Sequence, residues 1–222
     1  MVKTGDPLYA GIDLGGSKIL SVIADHNGAI LARKKLATPH YANGQAVTQA
    51  ITEGILACLE NSPSLVGNVA GIGIAAAGAI QRDPGVITHS PHLPLLKDFP
   101  LCQAISSVFG ADVQIANDAN MAAVAEHKFG AGRGISELVF VTISTGIGGG
   151  VITKGQILEG ERGFAGELGH MSVQAGGPKG RSSNPGAWES LSSGSALARI
   201  AIESIESGRQ TIMDKHTIDS KR

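Results

Sequence analysis

The sequence predicts an α/β protein built on mixed sheets, and three observations carry that expectation. Short apolar runs bounded by Gly, Asn, Asp or Pro recur at residues 8–12, 19–24, 69–76, 113–116 and 138–143. Stretches of helical period alternate with them. Glycine supplies 31 of the 222 residues, about twice its ordinary ~7% share, while aromatic residues make up only 4%, so binding is expected to use backbone more than ring stacking.

Taken in order, residues 8–13, 18–24 and 30–36 follow one another across short Gly-containing turns and read as an antiparallel meander that opens a mixed sheet. Val47, Ile51, Ile55 and Leu59 repeat every four residues along one helix face, and Met121, Ala125 and Phe129 do the same after Asp118. Residues 176–186, GGPKGRSSNPG, have no periodicity and are expected to be a loop restrained by Pro178 and Pro185. A last helix is expected from about Trp188 to Ile205, with Leu191, Ala198, Ile202 and Ile205 inward. A seam falls where a strand hands over to a helix near Asn117, dividing the chain into 1–117 and 118–222.

Composition excludes several classes of function. Hydrophobic residues at 42%, charged residues at 17% and a formal net charge of -1 fit neither a disordered acidic tail nor a basic nucleic-acid binder, which leaves a small molecule as the expected partner. Cys58 and Cys102 are the only cysteines, and neither has a second Cys or a His at metal spacing, so both read as structural thiols in a reducing compartment. No apolar run reaches the ~18 residues of a membrane span, and the first residues lack a signal-like apolar stretch, so a cytoplasmic protein is expected.

Two glycine turns follow apolar strands. In the first, Gly15 and Gly16 let backbone N–H groups approach an anion such as phosphate, Ser17 adds a hydroxyl, Lys18 a charge, and Asp13 is suited to hold Mg²⁺ through water. The second is Thr142-Ile-Ser-Thr145-Gly146-Ile-Gly148-Gly149-Gly150, again strand, glycine turn, strand; its spacing fits neither a P-loop nor a Rossmann fingerprint. A plain hairpin explains either one alone, whereas the pair, one per half, points to nucleotide phosphates.

Asn117-Asp118 ends one strand and begins a helix. Two readings stay open for Asp118: helix N-cap, or general base for an attacking hydroxyl with Asn117 bonding a neighbouring one. Downstream, Glu167, His170 and Glu189 add carboxylate and imidazole groups of the kind that hold adjacent hydroxyls of a polyol, while each on its own also fits a structural or solvated residue. No HExxH pattern supports a two-His zinc hydrolase.

The order of these motifs resembles the ROK family of sugar kinases and transcriptional repressors. DLGGSK resembles its first phosphate motif, GIGIAAAG its sugar-side strand and turn, ANDAN its Asn-Asp pair and TGIGGG its second phosphate hairpin. GELGHMSV with AWESLSSGSAL resembles its signature region, and the match runs from Tyr9 to about Ala201. The resemblance implies a two-lobed actin-like, ribonuclease H-like ATPase fold that closes on sugar and Mg-ATP. It implies Asp118 as base, with Gly78, Asn117, Glu167, His170 and Glu189 around the sugar. It implies Asp13, Gly15, Gly16, Ser17, Lys18, Thr145, Gly146, Gly148 and Gly149 around the phosphates, and a possible homodimer. The family's repressors carry an N-terminal helix-turn-helix, for which only about eight residues precede the first strand, so no nucleic-acid partner is expected.

The sequence departs from the family pattern in three places. The family binds structural zinc through the His matching His170 and three Cys, where this chain has Gly180, Ser182 and Ala187, so no structural zinc is expected. His92 replaces a sugar-side Asn. The chain ends at Arg222, ahead of the family's adenine-side helices, so an incomplete second lobe with an uncovered apolar face around the helix at 188–205 is expected.

Overall fold

The computed structural model describes residues 6–60, 69–90, 92–161, 163–180 and 184–212; position 182 and the chain from 213 onward lie outside them. The opening meander is present as β1 (Leu8–Leu14), β2 (Lys18–Ala24) and β3 (Ile30–Ala37), paired antiparallel. β3 is the edge strand and carries Arg33, Lys34 and Lys35, which discourages pairing with another chain. Helix α1 (Gly44–Cys58) starts where the Asn43 side chain accepts the Ala46 N–H, and the predicted face Val47, Ile51, Ile55 is fully buried. It returns the chain to β4 (Val69–Ala76), parallel to β1.

A two-stranded excursion, β5 (Ala79–Gln81) with β6 (Val86–His89), precedes α2 (Leu101–Phe109) and β7 (Asp112–Asn117), parallel to β4. The sheet order is β3-β2-β1-β4-β7. One apolar core, with Leu8, Ile23, Ile51, Ile74, Ile105 and Ile115 at 0–1% exposure, runs through this half. Beyond it come α3 (Asp118–Phe129), then β8 (Leu138–Ile143), β9 (Ile147–Thr153) and β10 (Gln156–Ile157) in a three-stranded antiparallel sheet ordered β10-β9-β8. A 3₁₀ turn at Leu168–His170, α4 (Trp188–Ser192) and α5 (Gly194–Glu206) complete the described chain. Among the described residues no helix is long and apolar enough to cross a membrane.

Two expectations need correction. Helix α3 does not bury Met121, Ala125 and Phe129; it buries Ala119, Asn120 and Ala123, and Phe129 is 67% exposed. The reason is its neighbour: β9 presents bare glycine, and only small helix residues can approach that closely. The single last helix is two, because Ser193 takes an extended conformation and its hydroxyl accepts the Ala196 N–H, capping α5. That break turns Ala198 outward. Leu197 and Ile200 of α5, and Val139 and Ile143 of β8, are exposed apolar side chains in this half, as expected near that helix.

Burial, with the Asp112 charge as a smaller contributor, pushes the Cys102 thiol up to about 11, and burial also raises Cys58. The thiol form of Cys102 therefore persists in the folded chain where the unfolded chain ionises, from about pH 9 upward. Alkylation at pH 8, followed by peptide mass spectrometry, is expected to leave native Cys102 unmodified over the time that labels it fully in urea. Stability should fall as pH rises from 9 towards 11.

Candidate functional site

Strands β1, β4 and β7 end in register at one edge of the sheet, where Leu14 pairs with Ala76 and Ala76 with Asn117. The carboxyl edge of parallel strands is where α/β proteins place ligands, and three of the predicted motifs leave the sheet here. Gly78 turns the chain at φ +123, a conformation that excludes side chains, and a Cβ there would run into the His89 carbonyl. Asn117, not Asp118, is the N-cap: its Oδ1 accepts the N–H groups of Ala119 (2.9 Å) and Asn120 (3.2 Å). Asp118 is thereby the first helical residue, exposed, with one carboxylate oxygen 2.9 Å from the Ala119 N–H. A carboxylate is favoured at this positive helix end.

The hairpin joining β8 to β9 faces this junction. Ser144 donates its N–H to the Gly146 carbonyl (2.9 Å), closing the turn, and α5 ties it down: the Gly194 N–H reaches the Ser144 carbonyl (2.8 Å) and the Ser195 hydroxyl the Thr145 carbonyl (2.8 Å). Glu189 of α4 accepts the Ile147 N–H at 2.8 Å, and a Cβ on Gly146 would collide with its carboxylate. Glu167 and His170 stand 3.5 Å apart, carboxylate to Nε2, both about half exposed.

A cleft of about 780 Å³ brings together Gly78, Asn117, Asp118, Thr145, Gly146, Gly148, Gly149, Glu167, His170 and Glu189. The first hairpin does not line it. Gly15, Gly16, Ser17 and Lys18, with Asp13 exposed on β1, lie behind His92, against whose backbone and Cβ Gly16 packs. A second chamber of about 710 Å³ shares His92, Thr145, Gly146, His170 and Glu189 with the cleft and is otherwise lined by Lys179, Ser190, Ser195 and Arg199, among others. Sequence reasoning did not single out those four, nor Ser144 and Phe164 in the cleft. The Ser-Gly-Ser run at 193–195, a helix-cap pattern, was the available signal for Ser195.

One glycine hairpin at the carboxyl edge of the first sheet, a second in the three-stranded sheet, and an Asn-Asp junction between them in the chain define a protein of the two-lobed actin-like ATPase fold, seen also in the solved structures this chain resembles. More narrowly, the chain belongs to the ROK family, whose model matches residues 9–220. It is 32% identical to a glucokinase of Halalkalibacterium halodurans over 96% of this chain and 66% of that one. It is 35% identical to an N-acetylmannosamine kinase of Salmonella arizonae over 86% of this chain and 62% of that one. A ROK glucokinase from Streptomyces griseus, solved with glucose and AMPPNP, superposes with a TM-score of 0.74 at 32% identity, covering 90% of this chain and 62% of that chain. The chain thus spans somewhat less than two thirds of the length of the relatives it matches.

Glu189 carries a structural duty besides any ligand contact, because Ile147 is 4% exposed and donates its N–H to that carboxylate. Glu189→Ala is expected to cost about 1–3 kcal/mol in urea unfolding, the cost of an orphaned buried donor, and Glu189→Gln much less because it keeps an acceptor. Equal loss in both variants would contradict this.

Proposed function

We propose that the protein is a sugar kinase: Asp118 takes the proton from a hydroxyl of a hexose or N-acetylhexosamine, which attacks the γ-phosphate of ATP. The observation that carries this reading is the position of Asp118. An exposed carboxylate at a helix start opens into the same cleft as the β8–β9 hairpin, so a hydroxyl against Asp118 would face a phosphate held at Thr145 and Gly146. The Asn117 side-chain oxygen is spent on the cap, which leaves its Nδ2 group to donate to a sugar hydroxyl. Glu167, His170 and Glu189 would hold the remaining hydroxyls, with Gly78 lining the sugar by its backbone.

On the phosphate side, Gly146, Gly148 and Gly149 would offer backbone without side-chain obstruction; Gly15, Gly16, Ser17 and Lys18, which do not line the cleft in this structure, would form a second wall only when the cleft closes past His92. Asp13 fits a water-mediated Mg²⁺ contact, since its side chain is an exposed carboxylate at the end of β1. Mg²⁺ bound there would neutralise charge on the phosphoryl oxygens. The reading places one lobe at 1–117 and a partial second at 118–222, supported by the end of the apolar core at Ile115. A cytoplasmic location accords with small-molecule phosphorylation, and the exposed apolar residues of α5 and β8 suit a homodimer contact.

Assay of sugar phosphate formation from Mg-ATP across a panel of hexoses and N-acetylhexosamines tests the proposal. Asp118→Asn is expected to lower turnover by about 10²- to 10⁴-fold, the range for loss of a general base. Its urea midpoint should barely move, because Asn117 holds the cap. Parental turnover in that variant would remove Asp118 from the role. Sugar binding without turnover in the parent would indicate a sensor in place of an enzyme.

A further inference from the structure

We propose that the segment after His170 is closed without metal, by a hydrogen-bonded clasp in which Ser172 and Asn184 act as positioning residues for His170; this rests on the sugar site proposed above. Structural zinc, which the family implies, does not fit the residues present. Gly180 offers no ligand, and it lies so close to Ser190 that even a Cβ would run into that hydroxyl. Ala187 offers none either and is fully buried at 0% exposure. A closed tetrahedral site needs four ligands, and His170 with one more position cannot supply them.

What joins the two arms is a short antiparallel pairing. Ser172 bridges to Ala187, the Trp188 N–H reaches the Met171 carbonyl at 2.9 Å, and the Val173 N–H reaches the Gly186 carbonyl at 2.9 Å. Gly186 sits at φ +67 against the Gln174 carbonyl, where any Cβ would collide, so only glycine lets the arms meet. Two side chains lock the pairing. The Ser172 hydroxyl donates to the Pro185 carbonyl at 2.9 Å, and the Asn184 amide donates to the carbonyl of His170 itself at 2.9 Å.

The consequence for the site follows from where the arms lead. One arm begins at His170 and the other runs through Trp188 into Glu189, so the clasp sets the separation of two residues that line the cleft. A zinc ion bound to His170 would hold its ring; here the backbone of His170 is held instead, and its Nε2 faces the Glu167 carboxylate. Substrate recognition by this chain is accordingly independent of zinc.

Hydrogen exchange with mass spectrometry tests the clasp without any sugar. Protection of the Val173 and Trp188 amides is expected to survive EDTA, to fall in Asn184→Ala and Ser172→Ala, and to return in Ser172→Thr, which keeps the hydroxyl. Sugar affinity, read from emission of Trp188, the single tryptophan, should be unchanged by EDTA and weaken about tenfold in Asn184→Ala, the worth of one hydrogen bond. Where turnover is measured, the KM for sugar should rise with kcat and the KM for ATP unchanged, a split that general destabilisation would not produce. Stoichiometric zinc whose removal deprotects the segment, or parental exchange in both alanine variants, would overturn the proposal. Failure of every sugar to bind would instead count against the sugar site, leaving the clasp to be judged by exchange alone.

Discussion

The bare backbone of Gly146 and Gly148 to Gly150, around the start of β9, sets where three neighbouring elements of the cleft can lie. A Cβ on Gly150 would sit 2.6 Å from the Ala123 Cβ, and one on Gly149 2.6 Å from Leu168 Cδ1. Gly146 leaves room for the Glu189 carboxylate, and Gly148 meets Ala119. One strand therefore draws in the helix that begins with Asp118, the turn that carries Glu167 and His170, and the helix that carries Glu189. Interiors are close-packed, so a single methyl group on this strand would have to displace one of those elements. The same glycines that leave backbone open at the hairpin thus also bring Asp118, Glu167, His170 and Glu189 to one cleft.

This dual use explains why the fold was more legible than the site's construction. Strand periods, the meander and the α1 face were visible because burial repeats along each element: Val47, Ile51 and Ile55 lie where a four-residue period places them. The same rule failed on α3. There the apolar residues Met121 and Phe129 outvoted Ala119 and Ala123 on hydrophobicity, yet the partner surface is glycine and rewards closeness over size. Periodicity also ran across Ser193, because a cap interrupts backbone geometry without interrupting the spacing of apolar residues. Ten of the residues that motif order singled out line one cleft while the first hairpin does not, and Glu189 as the acceptor for Ile147 was not legible, since the two lie 42 residues apart.

The Asn117-Asp118 junction shows how a local rule divides labour between neighbours. Either residue type caps a helix well, and the sequence offers no way to choose between them. The structure assigns the cap to Asn117, whose Oδ1 takes two backbone donors, and that choice leaves most of the Asp118 carboxylate's capacity directed at the cleft. A similar economy governs the loop after His170, where backbone pairing and two side-chain bonds supply the closure. In both places neutral polar side chains fix backbone, and acidic and imidazole groups remain available to a ligand.

In the proposed sugar kinase a sugar hydroxyl meets Asp118 in the cleft walled by the β8–β9 hairpin. The most direct test is a crystal structure of the protein with a bound hexose and a non-hydrolysable ATP analogue. One sugar hydroxyl is expected within about 2.6–3.2 Å of the Asp118 carboxylate, its neighbours on Asn117, Glu167 and His170, and the terminal phosphate in line with it beside Thr145 and Gly146. Sugar density outside that cleft, or a sugar within it whose hydroxyls all lie beyond reach of Asp118, would contradict it.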